Sequence, residues 1–150
     1  FIGIGENAIT YVKNILNKES PISVSHKRIG VNSTLFDFYN PFNLIIDYKI
    51  RDIAEYIKDA FFNNKYSKIL LDKVFKNYVF DKTTLSLFYA RLLFPSYYFD
   101  LYENVIEKDL NENIIIDLLK KSSKYEDFLK DFAYKTSIVS IDWLDKGNIN

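Results

Sequence analysis

The 150 residues predict a mainly helical fold with one small extended region near residues 22–47. Over most of the chain, apolar residues recur at the three-and-four spacing of amphipathic helices. Between Ile22 and Asp47 that spacing gives way to short alternating runs, turn residues and Pro41. Hydrophobic residues make up 48% and aromatics 17%, which is enough apolar surface to fill a core. A chain of this length buries roughly two-thirds of its unfolded surface around one core. No repeat or Gly/Ser linker divides it, so residues 1–150 are expected to form a single domain.

Taken in order, Ala8, Tyr11, Val12, Ile15 and Leu16 place a first helix over residues 2–17, ended by the Lys18–Pro21 segment. Ile22-Ser23-Val24-Ser25-His26 alternates like a strand, and Gly30 to Ser33 carries turn chemistry. Thr34 to Phe38 is expected to be extended again, Asn40-Pro41 to turn, and Phe42 to Ile46 to pair with the segment around Leu35-Phe36 as a hairpin ending at Asp47. From Ile50 a helix is expected with Ile53, Ala54, Ile57 and Phe61 inward and Asp52, Glu55, Lys58 and Asp59 away from that stripe, stopped at Asn63-Asn64.

The remainder predicts helix after helix. Leu70, Leu71, Val74, Phe75 and Tyr78 form one stripe, and Asp81 caps the next, which carries Leu85, Phe88, Tyr89 and Leu92. Pro95 separates it from a helix bearing Tyr98, Leu101, Tyr102, Val105 and Ile106. Asn111, and then Ser123 with Glu126 at capping-box spacing, start two further short helices. Ile138 to Leu144, with Trp143, reads as a strand, a loop over the core or a final turn.

The 20 basic and 20 acidic residues cancel and are interspersed, which removes the field that a nucleic acid or an anionic membrane would need. No apolar run approaches the roughly 18 residues of a membrane span, and no basic-then-apolar leader opens the chain. Without cysteine, disulfides, zinc fingers and thiolate catalysis are absent. Without methionine, Phe1 is expected to be a cut or processed edge with residues missing before it.

The candidate chemistry lies between Ile22 and Lys58. His26 is the only histidine and could act as a base, a ligand or an orienting donor. No second histidine or cysteine completes a transition-metal site around it. Ser23, Ser25 and Asp37 leave a triad formally open, without a nucleophile-elbow pattern. Asp37, Asp47 and Asp52 are the carboxylates that could hold magnesium, and Asp47, closing the run Leu44-Ile45-Ile46, is the least ordinary of them. Gly3-Ile4-Gly5 is half of a glycine-rich element, but Ala8 stands at the third position, so a plain helix start explains it better. The aromatic run Phe94-Pro95-Ser96-Tyr97-Tyr98-Phe99 is read as interhelical packing rather than base stacking.

The stretches Ser25-His26-Lys27-Arg28-Ile29, Leu44-Ile45-Ile46-Asp47-Tyr48, Ile50-Arg51-Asp52-Ile53-Ala54-Glu55-Tyr56, Tyr89-Ala90-Arg91-Leu92-Leu93-Phe94-Pro95 and Tyr97-Tyr98-Phe99-Asp100, in this order, resemble the helical C-terminal lobe of the kinase-like phosphotransferases. Within that group the chain resembles most the bacterial spore-coat kinase-like proteins. The resemblance implies a catalytic loop at His26, with Arg28 where the family has its catalytic Asp. It implies Ser33 at the magnesium-binding Asn, with Asn32 one residue early, and Asp47 at the metal-binding aspartate. Arg51 and Asp52 match the structural element opening the next helix.

Arg28 puts a permanent positive charge where the mechanism wants a proton acceptor, a loss worth on the order of 10²- to 10⁴-fold in rate. Arg28 is instead expected to pair with Asp47 in place of a metal. The resemblance therefore implies a catalytically degenerate protein without a cofactor, working in spore-coat assembly, in the mother-cell cytoplasm or the coat itself. Its expected partners are proteins: coat components or a missing N-terminal lobe, with no nucleic acid or membrane. The alternatives are an active Mg-ATP-dependent phosphotransferase and an unrelated helical interaction module.

Overall fold

The computed structural model describes residues 2–15, 21–108, 111, 113–139 and 141, and of residue 108 only the backbone. The elements run α1 (Ile2–Lys13), β1 (Ile22–His26), α2 (Leu35–Tyr39), a 3₁₀ turn (Pro41–Asn43), β2 (Leu44–Tyr48), α3 (Arg51–Phe62), α4 (Lys68–Asn77), α5 (Lys82–Leu93), α6 (Ser96–Lys108) and α7 (Asn113–Thr136). The mainly helical expectation with a small β region near 22–47 holds.

The helix α5 is the centre. Its sequence KTTLSLFYARLL leaves no wide polar face, and a helix apolar nearly all round belongs inside. Leu87, Phe88, Tyr89, Ala90, Leu92 and Leu93 are all buried there, with α1, α3 and α7 packed around it. Asp81 caps its start by accepting the Thr84 amide at 2.7 Å. At its end Phe94 is extended, as a residue before proline prefers, and Ser96 opens α6 immediately after Pro95. Phe62 stacks on Tyr97 at 4.8 Å and meets Tyr125 at 4.8 Å, joining α3, α6 and α7 through ring contacts. The Tyr125 hydroxyl, its pKa pushed well up by burial, donates to the Leu92 carbonyl at 2.8 Å.

The hairpin differs from expectation. β2 pairs antiparallel with β1, Ile22 opposite Tyr48 and His26 opposite Leu44, rather than with the segment around Leu35-Phe36. That segment is helical because Thr34 and Asp37 close a capping box: the Thr34 amide donates to the Asp37 carboxylate at 2.7 Å, and the Thr34 hydroxyl accepts from the Asp37 amide. Local capping thus takes residues 34–39 out of the extended state. The Asn40 side chain then caps the 3₁₀ turn begun by Pro41.

The two short helices expected after Asn111 are one helix, α7, of 24 residues. Leu118, Tyr125, Leu129 and Phe132 stay in one phase across Ser122-Ser123, so burial carries the helix through. The hydroxyl of Ser122 donates to the Leu119 carbonyl at 2.6 Å and needs no break. Beyond it, Ile138 is buried and Tyr11 donates to the Val139 carbonyl at 2.9 Å, so this part of the tail lies over the core. Trp143 falls outside the described residues. Gly3 and Gly5 sit inside α1, with Gly5 buried, and form no loop.

Continuity of α7 gives a direct prediction: Ser123→Pro, harmless between two separate helices, should cost about 3 kcal/mol or more in urea unfolding.

Candidate functional site

The backbone from Lys27 to Ser33 is held from three sides. Asn43 clamps its start: the Lys27 amide donates to the Asn43 carbonyl at 2.7 Å, the Arg28 amide to its side-chain oxygen at 3.0 Å, and its amide nitrogen donates back to the Arg28 carbonyl at 3.0 Å. Asp59 of α3 takes the Val31 amide at 2.7 Å, and Asn63 holds the other oxygen of that carboxylate at 2.9 Å. Gly30 is required here by space, since a Cβ would collide with the Asp59 carboxylate. The Gly30 amide donates to the Ser33 hydroxyl at 2.9 Å, and Lys65 reaches the Asn32 side-chain oxygen at 2.8 Å.

His26 and Asp52 anchor this loop to α3. The Asp52 carboxylate accepts the His26 amide at 2.8 Å and its Nδ1 at 2.6 Å, while Nε2 lies 3.2 Å from the Phe38 carbonyl. Both ring nitrogens therefore face acceptors, an arrangement that makes His26 an orienting donor. Asp52, placed in the first turn by its sequence position, serves the loop instead of capping its own helix.

Behind the loop runs a half-buried ion network. The Asp47 carboxylate Oδ2 accepts from Arg51 Nη1 at 2.7 Å and from Arg91 Nη2 at 2.8 Å, while Oδ1 takes the Tyr48 amide at 2.7 Å. Arg51 also donates to the His26 carbonyl at 2.9 Å and the Lys27 carbonyl at 3.0 Å. Arg91 lies 3.4 Å from Glu55, which accepts from Lys58 at 3.1 Å and from the Ser96 hydroxyl at 3.0 Å. Lys58 is 2% exposed, and its three hydrogens meet Glu55 and the carbonyls of Arg91 and Phe94 at 3.0 and 2.9 Å. Burial lowers the pKa of its ammonium, and Glu55 opposes that shift. Strand end, α3, α5 and the start of α6 are thus joined by one polar chain.

Between the loop, α3, the α5–α6 junction and α6 lies a cavity of about 810 Å³, whose lining includes Arg28, Asn32, Ser33, Asp59, Arg91 and Tyr97. Arg28, Asn32, Ser33 and Arg51 line it, whereas Asp47 lines a second, apolar cavity of about 370 Å³ on the far side of the two arginines. The expected pairing of Arg28 with Asp47 does not form. The Arg28 guanidinium points across the cavity to Asp100 at 3.2 Å and Glu103 at 3.7 Å, because Arg51 and Arg91 already hold Asp47.

Part of α3 also departs from its expected faces. Glu55, Lys58 and Asp59 belong by periodicity to an outward face, yet none is exposed, since α5 and the loop cover both flanks of the helix. Small Ala54 and Ala60 on the same helix mark such close approach and are the available signal. Asn43 holds the site without any mark of function in the sequence, and Arg91, though it stands in one of the stretches that carry the resemblance, was given no role there.

A protein-family model described as "Spore coat putative kinase YutH" matches residues 1–132. The chain is similar to the endospore coat-associated protein YutH of Bacillus subtilis (strain 168), 27% identical over 172 aligned positions that cover 99% of this chain and 51% of the relative. It thus spans about half the length of that curated relative. No solved structure matches the chain.

The geometry predicts the outcome of two substitutions. Lys58→Met removes the buried cation from Glu55, which keeps only Arg91 and the Ser96 hydroxyl, and leaves the Arg91 and Phe94 carbonyls without their donor, so it should cost about 3 kcal/mol in urea unfolding, of which Glu55→Gln in the same chain recovers part. Hydrogen bonds from Thr34 hold the Asp37 carboxyl below the usual carboxylate range. The capping contribution is therefore complete above that range and is lost as pH falls through the lower folded value. The protection of the Thr34 amide, taken relative to its intrinsic exchange rate, should fall over that acid window, and Asp37→Asn should remove this dependence of protection on pH.

Proposed function

Because the chain belongs to the spore coat putative kinase YutH family, we propose that it is part of a catalytically silent kinase-like protein that serves in assembly of the bacterial spore coat. The observation that carries this reading is the state of Asp47. Its Oδ2 accepts two guanidinium groups and its Oδ1 a backbone amide, so the carboxylate is already engaged as an ion-pair partner. Among the described residues, no group of three His, Cys, Asp or Glu side chains is arranged to hold a metal ion. On this reading Asp47 serves as the arginines' partner, and Mg-ATP is not a ligand of the site.

Further support comes from the placement of Arg28. In a kinase-like site this position would accept the proton of the incoming hydroxyl, which a guanidinium cannot do. His26, Asp52 and Arg51 act otherwise. They brace the loop, and Arg51 joins the ends of β1 and β2 by bonding both the His26 carbonyl and Asp47. A loop kept rigid without an acceptor suits recognition better than turnover. Association with the coat, in the mother cell or in the finished spore, follows from the relative's description as endospore coat-associated.

Isothermal titration of the full-length protein with Mg-ATP, run beside a phosphoryl-transfer assay, tests the silent reading. Neither binding heat nor turnover is expected. Magnesium-dependent turnover that disappears in Asp47→Asn would establish an active phosphotransferase instead. For the assembly role, the protein should partition with the coat fraction of purified spores, and recovery only in the spore core would contradict it.

A further inference from the structure

The polar chain behind the loop does not balance. Arg51, Arg91 and Lys58 carry three positive charges, and the carboxylates they touch, Asp47 and Glu55, carry two negative ones. Asp52, the next residue after Arg51, is taken by the amide and ring of His26. The Arg91 guanidinium uses Nη2 on Asp47 and turns Nε toward Glu55, and its Nη1 has no acceptor among the described residues. A half-buried surplus of positive charge is costly unless an anion lies close to it.

Beside that surplus lies the apolar cavity of about 370 Å³. Its walls include Ala8, Ile9 and Val12 of α1, Ile50, and Leu87 and Ala90 of α5, while Arg51, Arg91 and Lys13 bring three cations to it against one carboxylate, Asp47. Apolar walls with a few charged groups, mostly of one sign, suit a ligand with an apolar body and a head of the opposite sign. The Tyr11 ring meets Tyr89 edge-on at 5.6 Å and holds α1 to α5, so the walls are set without a ligand. Ile9, 48% exposed, and Lys13 both line the cavity and reach solvent, which gives a ligand a way in beside α1.

We propose that this cavity binds an aliphatic monocarboxylate, a fatty-acid-like ligand. Its chain packs among the walls from α1 and α5, and its carboxylate supplies the missing negative charge to Arg91 and Lys13. The site lies on the other side of Arg51 and Arg91 from the loop cavity, so it is independent of whether that cavity takes a nucleotide.

Isothermal titration of the full-length protein with sodium octanoate, below its micellar range and without magnesium or nucleotide, tests this. Saturable binding to a single site is expected. Octylamine, with the same chain and a positive head, should not bind, and octanol, with no charge, should bind at least about tenfold more weakly. Shortening the chain by two methylenes, to hexanoate, should weaken binding by roughly tenfold. Ile9 and Lys13 line this cavity and not the loop cavity, so their variants report on it alone. Ile9→Trp, which fills the mouth, should weaken octanoate binding at least about tenfold, and Lys13→Glu, which reverses a charge at the rim, roughly threefold. Absence of saturable binding, or equal binding of octanoate and octylamine, would overturn the proposal. So would undiminished binding by both variants, which would place the ligand elsewhere. If a variant fails to fold, the ranking of octanoate, hexanoate, octanol and octylamine on the unsubstituted protein decides: that order supports the site, and indifference to the head group overturns it.

Discussion

The pairing of Asp47 with two arginines is the constraint on which the rest of the site depends. Asp47 ends the apolar run of β2, Arg51 opens α3 and Arg91 lies near the end of α5, so one carboxylate fixes a strand end against two helices. Taking these charges partly out of water is expensive, and it is tolerated because each group has more than one partner. Arg51 directs its remaining donors to the carbonyls of His26 and Lys27, and Arg91 continues to Glu55 and, through it, to Lys58 and Ser96. Removing any one member leaves a charge behind, which makes the network cooperative.

The position of the loop follows from that chain of contacts. Arg51 pulls on its first carbonyls and Asp52 on the amide and ring of His26, both from the opening turn of α3, and Asp59 pulls on the amide of Val31 from about two turns further along the same helix. α3 therefore serves as a ruler for the loop, while its opposite side buries Ala54 and Ile57 against α5. The same rigidity explains the charge pattern of the cavity. Its acidic side chains are engaged within the fold, and Arg28 meets Asp100 and Glu103 across the opening. The resulting surface is shaped and polar.

Much of this was legible in the sequence. The amphipathic stripes located the helices, Asp81 and Pro95 marked two of their boundaries, and the break in periodicity after Ile22 marked the β region and the loop. For Arg51 and Asp52 the resemblance pointed to a structural element opening the next helix, whereas the residues alone left Asp52 open as a helix-terminal acid or a magnesium carboxylate. What the sequence concealed were contacts between distant positions. Asp47 and Arg91 are 44 residues apart, so nothing local shows that Arg91 rather than Arg28 reaches the carboxylate. Lys58 looked like a solvated lysine because periodicity assigns faces without saying how many faces are covered. The capping box at Thr34 was present in the sequence but was outweighed by the extended pattern of its neighbours, and the phase continuity across Ser122-Ser123 was outweighed by the capping-box spacing of Ser123 and Glu126.

Everything in the site turns on Asp47 acting as the partner of Arg91 and Arg51 rather than as a metal ligand. A double-mutant cycle on the full-length protein, combining Asp47→Asn with Arg91→Met and read by urea unfolding without added divalent cations, measures that partnership directly. A coupling of about 1 kcal/mol or more between the two positions is the predicted result. Additivity to within about 0.3 kcal/mol would contradict it.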